Sequence, residues 1–173
     1  RNIFNDVSYE INDGSKNNLK IIDINVEERP TGEISAGAGV GTSGGTIAFN
    51  IKENNWLGQG KIVGLEIQAD EESLIGDFRY TNPNYNSLGN SITYSFLSER
   101  NDKPDLGFEN SIIAAAVGTS FEQYKDIKVS LGLKASHDDL QTEDSASASL
   151  KKQNGTYSEL TGNYGFTFDQ RDK

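Results

Sequence analysis

Apolar and polar residues alternate along most of this chain with a period of two. In residues 33–40, for example, every second residue is apolar (Ile34, Ala36, Ala38 and Val40), and the residues between them are polar or glycine. Successive side chains of a β-strand point to opposite faces, so this pattern predicts a strand with one apolar and one polar face. Helical spacing is almost absent, and the predicted fold class is therefore all-β.

Seven further segments show the same alternation. They are residues 46–52, 63–69, 77–81, 91–96, 112–121, 127–136 and 159–169. The alanine-rich segment 112–121 has the weakest pattern. Together with residues 33–40, these segments predict about eight antiparallel strands in up-and-down order.

The first thirty residues predict a separate unit. Residues 6–11 and 19–26 have strand-like composition and flank the turn-rich segment 12–18, which is a β-hairpin signal. The charged segment 27–32 contains Pro30 and Gly32. This segment predicts a boundary between the hairpin and the eight strands.

One-sided strands occur in two kinds of sheet. A soluble sandwich buries the apolar face against a second sheet, whereas an outer-membrane barrel turns it toward lipid. The predicted connections favour the barrel, because they are short at 54–60, 82–89 and 122–126 but long and charged at 98–110 and 137–158. Trp56, Tyr85 and Tyr124 lie in or beside the short connections, where an interfacial aromatic girdle is expected.

Composition narrows the choice of partners. The 16 Lys and Arg residues against 26 Asp and Glu residues give a net charge of −10, which argues against nucleic acid as a partner. The chain has no cysteine and no run of the ~20 apolar residues that a membrane helix needs. It begins with Arg1 and lacks methionine and a leader-like segment, so we expect a mature chain or an excised fragment.

No constellation of residues predicts catalysis, so we expect neither enzyme activity nor a cofactor or metal. His137, which precedes Asp138 and Asp139, is predicted to be a solvated residue of a long loop. The acidic residues 70–72 predict a tight turn with too few ligands for Ca²⁺. Five charged residues on the polar faces are expected to line a water-filled lumen: Glu66, Asp77, Arg79, Lys128 and Lys134.

Several motifs resemble the BamA family, the bacterial surface antigens that combine POTRA domains with a barrel. They are ERPTG at 28–32, GAGVGTSGG at 37–45, NNWLGQG at 54–60, YTNPNY at 80–85 and YGFTFDQRD at 164–172. The NNWLGQG and YTNPNY segments occupy the positions of the first two periplasmic turns of that family. The resemblance covers essentially the whole chain, although each motif by itself has low specificity.

The resemblance implies a division of the chain and a place in the cell. Residues 1–29 would be the C-terminal part of a periplasmic POTRA domain, and residues 30–173 the N-terminal half of a sixteen-stranded outer-membrane barrel. Earlier POTRA domains and the RGF loop motif of the second half would lie outside this sequence. The N-terminal segment would then lie in the periplasm.

The implied function is insertion and assembly of β-barrel proteins in the bacterial outer membrane. The first barrel strand would be a lateral gate for substrate strands, formed by Glu33, Ile34, Ser35, Ala36, Gly37, Ala38, Gly39 and Val40. The periplasmic turns would contain Asn55, Trp56, Leu57, Gly58, Gly60, Asn82, Pro83 and Tyr85. The implied partners are outer-membrane lipid, unfolded outer-membrane proteins, periplasmic chaperones and accessory assembly lipoproteins.

Alternatives remain at this point. Autotransporter-assembly and two-partner-secretion transporters share the POTRA-plus-barrel plan, and a passive outer-membrane barrel or a soluble sandwich would also give alternating strands. The glycines at 37, 39 and 41 either weaken the first strand or provide tight curvature. The residues favour neither explanation of the glycines.

Overall fold

The computed structural model describes residues 3–16, 18–41 and 44–171, and within them the fold is all-β. The strands are β1 (Phe4–Asp13), β2 (Lys20–Glu28), β3 (Gly32–Gly41), β4 (Gly44–Trp56), β5 (Lys61–Ala69), β6 (Ser73–Asn82), β7 (Ser91–Lys103), β8 (Phe108–Tyr124), β9 (Ile127–Thr142) and β10 (Gly155–Phe168). A 3-10 helix (Pro104–Leu106) and a single-turn helix α1 (Ala148–Lys151) lie in connections. In the described residues, no helix is long and apolar enough to cross a membrane.

The strands form two sheets. β1 and β2 pair as an antiparallel hairpin, and β3 to β10 form one eight-stranded antiparallel sheet in sequential order. In the described residues, each pair of elements in substantial contact is a pair of hydrogen-bonded neighbours, so no second layer covers the large sheet. The predicted hairpin and eight strands are confirmed. A sandwich requires a second layer, which the described residues do not supply.

The strand register gathers the alternating apolar residues onto one face. A single row of cross-strand partners runs through all eight strands and consists of Ile34, Ile51, Leu65, Phe78, Phe96, Ala115, Ala135 and Leu160. These side chains have no core to enter, since Ala114 and Ala146 are the buried hydrophobic residues of the described chain. The sheet therefore presents a broad apolar face that no described residue of the chain covers.

The apolar stretch shifts along the strands from β3 to β10. The row that passes through Phe49, within the apolar part of β4, reaches His137 in β9 and Ser158 in β10. The apolar residues of β10 lie farther along, from Leu160 to Phe168. The strands of a β-barrel are tilted relative to the barrel axis. An apolar band perpendicular to that axis therefore meets each successive strand at a different residue height, which produces a steady shift of this kind.

The connections lie on two rims and correct the predicted loop lengths. The proximal rim, where β3 begins, carries connections 57–60, 83–90 and 125–126, and the distal rim carries 70–72, 104–107 and 143–154. The predicted long loop 98–110 is wrong, because β7 and β8 continue to Lys103 and from Phe108. The predicted loop 137–158 is likewise shortened to 143–154, so the two rims do not differ consistently in connection length.

The cause of this error is polarity on both faces at the distal strand ends. Arg100 and Glu109, for instance, form an ion pair of 2.7 Å across β7 and β8. Alternation disappears where both faces of a hairpin are polar, although the backbone ladder continues. The charged residues at these positions therefore belong to strand ends and not to a loop.

Candidate functional site

The predicted gate residues all lie in β3, at the edge of the large sheet. β3 pairs with β4 from Gly32 opposite Glu53 to Gly41 opposite Gly44, and no strand of the described chain pairs with its other edge. Its apolar side chains are among the most exposed of the sheet, with Ile34 at 73% and Val40 at 93% exposure. β3 is therefore attached to this sheet along one side only.

The glycines of β3 are not required by close packing. A Cβ atom added at Gly37, Gly39 or Gly41 would meet no heavy atom within 4 Å, and none of the three has the left-handed backbone that favours glycine. Because glycine has no side chain, these residues make no side-chain pairs with β4. The edge strand β3 is therefore less stabilised by cross-strand pairs.

The first turn motif forms a tight connection on the proximal rim. Asn55 organises it, because its carbonyl accepts from the Gly58 N–H at 2.9 Å and its side-chain oxygen accepts from the Gly60 N–H at 2.7 Å. Leu57, Gly58 and Gly60 all have positive φ angles of 54°, 69° and 64°. Two of these positions hold glycine, which adopts such angles without steric cost. Trp56 ends β4 and is 45% exposed.

The second turn motif lies on the same rim between β6 and β7. Asn82 ends β6, and its side-chain oxygen accepts from the Asn84 N–H at 3.2 Å. Tyr85 donates its N–H to the Asn90 carbonyl at 2.9 Å, which closes the turn, and its side chain is 46% exposed. Both predicted turn motifs and Tyr124, the last residue of β8, thus lie on the proximal rim with exposed aromatic side chains.

A hydrogen-bonded cluster that the sequence reading missed connects the start of β3 to the end of β4. The Thr31 carbonyl accepts from the backbone N–H of Asn54 at 3.3 Å and from its side chain at 3.0 Å. The Thr31 hydroxyl donates to Oε1 of Glu53, and the same oxygen accepts from the Asn55 N–H at 2.7 Å. The sequence signal was the polar run 52–55, which interrupts the apolar alternation of β4.

The predicted lumen charges all lie on the polar face, in separate regions of the sheet. Glu66 and Asp77 are direct cross-strand partners, and Arg79 approaches Asp77 at 3.6 Å. Lys52 lines the same shallow depression. Lys128 lies directly opposite Glu122, so each of these regions combines both signs of charge. Lys134 also lies on the polar face, opposite Ala116 and Thr161.

The acidic turn on the distal rim is stabilised by internal hydrogen bonds. The Ser73 hydroxyl and the Glu72 N–H donate to the Asp70 carboxylate at 2.7 and 2.8 Å. These bonds, that of Ser73 first, lower the pKa of Asp70 below its ordinary value because they favour the charged form. Lys103 forms an ion pair with Glu72. No group of three or more potential metal ligands is found in the described residues.

His137 does not lie in a loop, which corrects the sequence expectation. It belongs to β9, lies on the same apolar face as Leu133 and contacts the Ser158 hydroxyl of β10 at 3.0 Å. Its side chain is exposed in the described chain.

A single antiparallel sheet has the architecture of an outer-membrane β-barrel fragment when one face is apolar and uncovered by the described residues and the opposite face carries charges. A sequence profile of the Omp85 superfamily domain matches residues 55–173, and the chain belongs to the Omp85 superfamily. The crystal structure of BamA from Haemophilus ducreyi lacking POTRA domains 1–3 has the same fold over 99% of this chain, with a TM-score of 0.72 and 22% sequence identity. The chain spans 36% of the length of that structure.

Proposed function

We propose that this chain forms the first strands of a barrel that inserts other β-barrel proteins into the outer membrane, with β3 as the lateral gate. The observation that carries the proposal is the edge of β3, which no strand of the described chain covers. Unpaired N–H and C=O groups are costly in lipid. A substrate strand added to this edge satisfies them by backbone hydrogen bonds, with little demand on its side chains.

The proposal divides the chain as the family plan suggests. Residues 1–29 are the C-terminal part of a POTRA domain in the periplasm, and residues 30–173 are the N-terminal half of the barrel. In support, the hairpin β1–β2 has one apolar face whose residues are all at least half exposed: Val7, Tyr9, Ile11, Ile22, Ile24 and Val26. A two-stranded hairpin is marginal by itself, so this face requires a cover from the rest of such a domain.

The same plan makes the proximal rim the periplasmic rim. The turns around Trp56 and Tyr85 then lie at the inner boundary of the membrane, where aromatic residues are favoured. The partners are outer-membrane lipid, unfolded outer-membrane proteins, and the chaperones and accessory lipoproteins that deliver them. The proposal assigns no catalytic role to any residue.

Depletion of the full-length parent protein tests the assembly role. The amounts of several unrelated barrel proteins in the outer membrane should fall together after depletion. If a single secreted or surface-exposed client is lost and the other barrels reach normal levels, the protein is a dedicated transporter. If all barrels remain at normal levels, the assembly role is wrong.

Photocrosslinking tests the gate itself. A photoreactive amino acid at Ser35 or Ala38 of β3 should capture a barrel substrate during its insertion. The same amino acid at Gln68 of β5, a strand paired on both sides, is the matched control and should capture none. Equal capture from β3 and β5, or no capture from either, contradicts a gate at β3.

A further inference from the structure

The joint between the hairpin and the large sheet is very short. The Arg29 N–H donates to the Ile3 carbonyl at 3.2 Å and closes the base of the hairpin. Two residues later, Thr31 is already bonded to β4. Only Pro30 separates these positions, and its ring fixes φ. A rotation of the hairpin is therefore transmitted to Thr31 almost directly, because only one residue of unbonded backbone lies between them.

The bonds of Thr31 all end at the proximal end of β4. They involve Glu53, Asn54 and, through the shared carboxylate oxygen, Asn55. Glu53 shares the apolar face with Ile51 and is half-buried. Because a half-buried carboxylate on such a face needs hydrogen-bond donors, the Thr31 hydroxyl and the Asn55 N–H stabilise it. Gly32 leaves room for this arrangement, since a Cβ atom there would lie 3.0 Å from Oε2 of Glu53.

A longer hydrogen bond lies at the distal end of the same strand pair. There, in the described part of the chain, the Gly45 N–H approaches the Glu71 carboxylate at 3.4 Å in an exposed position. The glycines of β3 add no side-chain contacts to this end. Among the described residues, the hydrogen bonds of Thr31 thus hold the start of the gate strand to the proximal end of β4.

We propose that Thr31 and Glu53 are positioning residues that couple the orientation of the hairpin to the gate strand β3. This Thr31–Glu53 clasp transmits a rotation of the hairpin to the proximal end of β3 and so influences the availability of its free edge. The inference rests on the proposed function, since it assigns a control to that gate.

Conservative variants separate the hydrogen bond from the shape of the side chain. Thr31→Val removes the hydroxyl at nearly constant volume, and Thr31→Ser retains the hydroxyl. Thr119→Val is a matched control, because the Thr119 hydroxyl donates to the Ser91 carbonyl at 2.9 Å in the same sheet but away from the joint. The 173 residues contain no cysteine, so labelling sites introduced here are free of background from this segment.

The measurement uses the full-length protein in lipid nanodiscs with spin labels at Glu10→Cys and Gln59→Cys. Thr31→Val should broaden the distance distribution between the labels and lower the rate of substrate insertion about five-fold, the effect of one hydrogen bond. Thr31→Ser and Thr119→Val should match the unsubstituted protein in both measurements.

The outcomes distinguish the clasp from the gate. If β3 of the unsubstituted protein captures no substrate, the proposed function fails whatever the spin labels report. If β3 captures substrate normally but Thr31→Val leaves the distance distribution or the insertion rate unchanged, the clasp alone is wrong. An equal loss of insertion in Thr119→Val also overturns the clasp, because it would indicate general destabilisation.

Discussion

Glu66 and Asp77 are direct partners across β5 and β6, so two carboxylates face each other on the polar side of the sheet. Arg79 lies 3.6 Å from Asp77, with its side chain 62% exposed, and offsets part of this repulsion. Because water screens an exposed pair, we expect Arg79→Gln to lower the free energy of unfolding by only about 0.5 kcal/mol. Urea titration in detergent measures the loss, which should shrink in high salt and vanish in an Asp77→Asn background. An unchanged loss in that background contradicts the ion-pair explanation.

A charge on the apolar face should be far more costly than the same charge on the polar face. Phe78→Lys places an ammonium in the continuous apolar row, and we expect a loss of ~2–4 kcal/mol in lipid. Gln68→Lys on the polar face of β5 is the control and should change stability little. Folding yield of the full-length protein into phospholipid vesicles measures both. Equal tolerance of the two lysines would show that the apolar face does not contact lipid.

Two glycines with the same backbone angle separate conformational strain from crowding. Gly58 and Gly107 both have φ of +69°, but an added Cβ meets nothing near Gly58 and lies 2.8 Å from the Ala146 nitrogen near Gly107. Gly58→Ala should cost about 1 kcal/mol from the left-handed angle. Gly107→Ala should cost about 1–3 kcal/mol more, because connection 143–154 must move away. Thermal unfolding measures the stability of both variants. Equal losses of stability would mean that connection 143–154 moves away without an energetic cost.

Valine in place of the β3 glycines distinguishes a weak edge from required curvature. Gly37→Val and Gly39→Val have room for the added Cβ atom, since no heavy atom lies within 4 Å of it. If the glycines serve to weaken the strand, these variants should fold normally, with slower amide hydrogen exchange in β3 and less substrate capture. Gly45→Val in β4, where an added Cβ atom likewise meets no heavy atom within 4 Å, is the control and should affect capture less. A failure of the β3 variants to fold supports the curvature explanation.

The distal turn 70–72 should lose stability in acid. The pKa of Asp70 is lowered in the folded chain, mainly by the Ser73 hydroxyl and then by the Glu72 N–H. A lowered folded pKa means that Asp70 contributes stability at pH values above the ordinary aspartate pKa and loses it as the pH falls through the folded value. Asp70→Asn should therefore reduce stability at neutral pH but flatten this acid limb. Unfolding measured at a series of pH values checks the slope, and an identical acid limb in both proteins would exclude Asp70 as its source.

The sequence was sufficient to identify the strands and their two faces. Side-chain direction in a strand alternates by local geometry, so Ile127, Val129 and Leu131 reveal an apolar face without knowledge of any partner strand. The turn motifs were equally local, because Gly58 and Gly60 supply the positive φ angles that the connection needs. Where both faces are polar, as at Arg100 and Glu109, this local signal disappears, and the strand ends were misjudged.

Only the tertiary structure decided which residues meet across strands. The register joined Ile34 to Leu160 through six intervening strands and brought Glu66 against Asp77. It also placed Glu53 within reach of Thr31, 22 positions earlier in the chain. The physical reason is that alternation determines which face of the sheet a side chain lies on, but not which residue of the neighbouring strand lies opposite it. The pairing register is set by the backbone hydrogen bonds between the strands and by the turns that connect them.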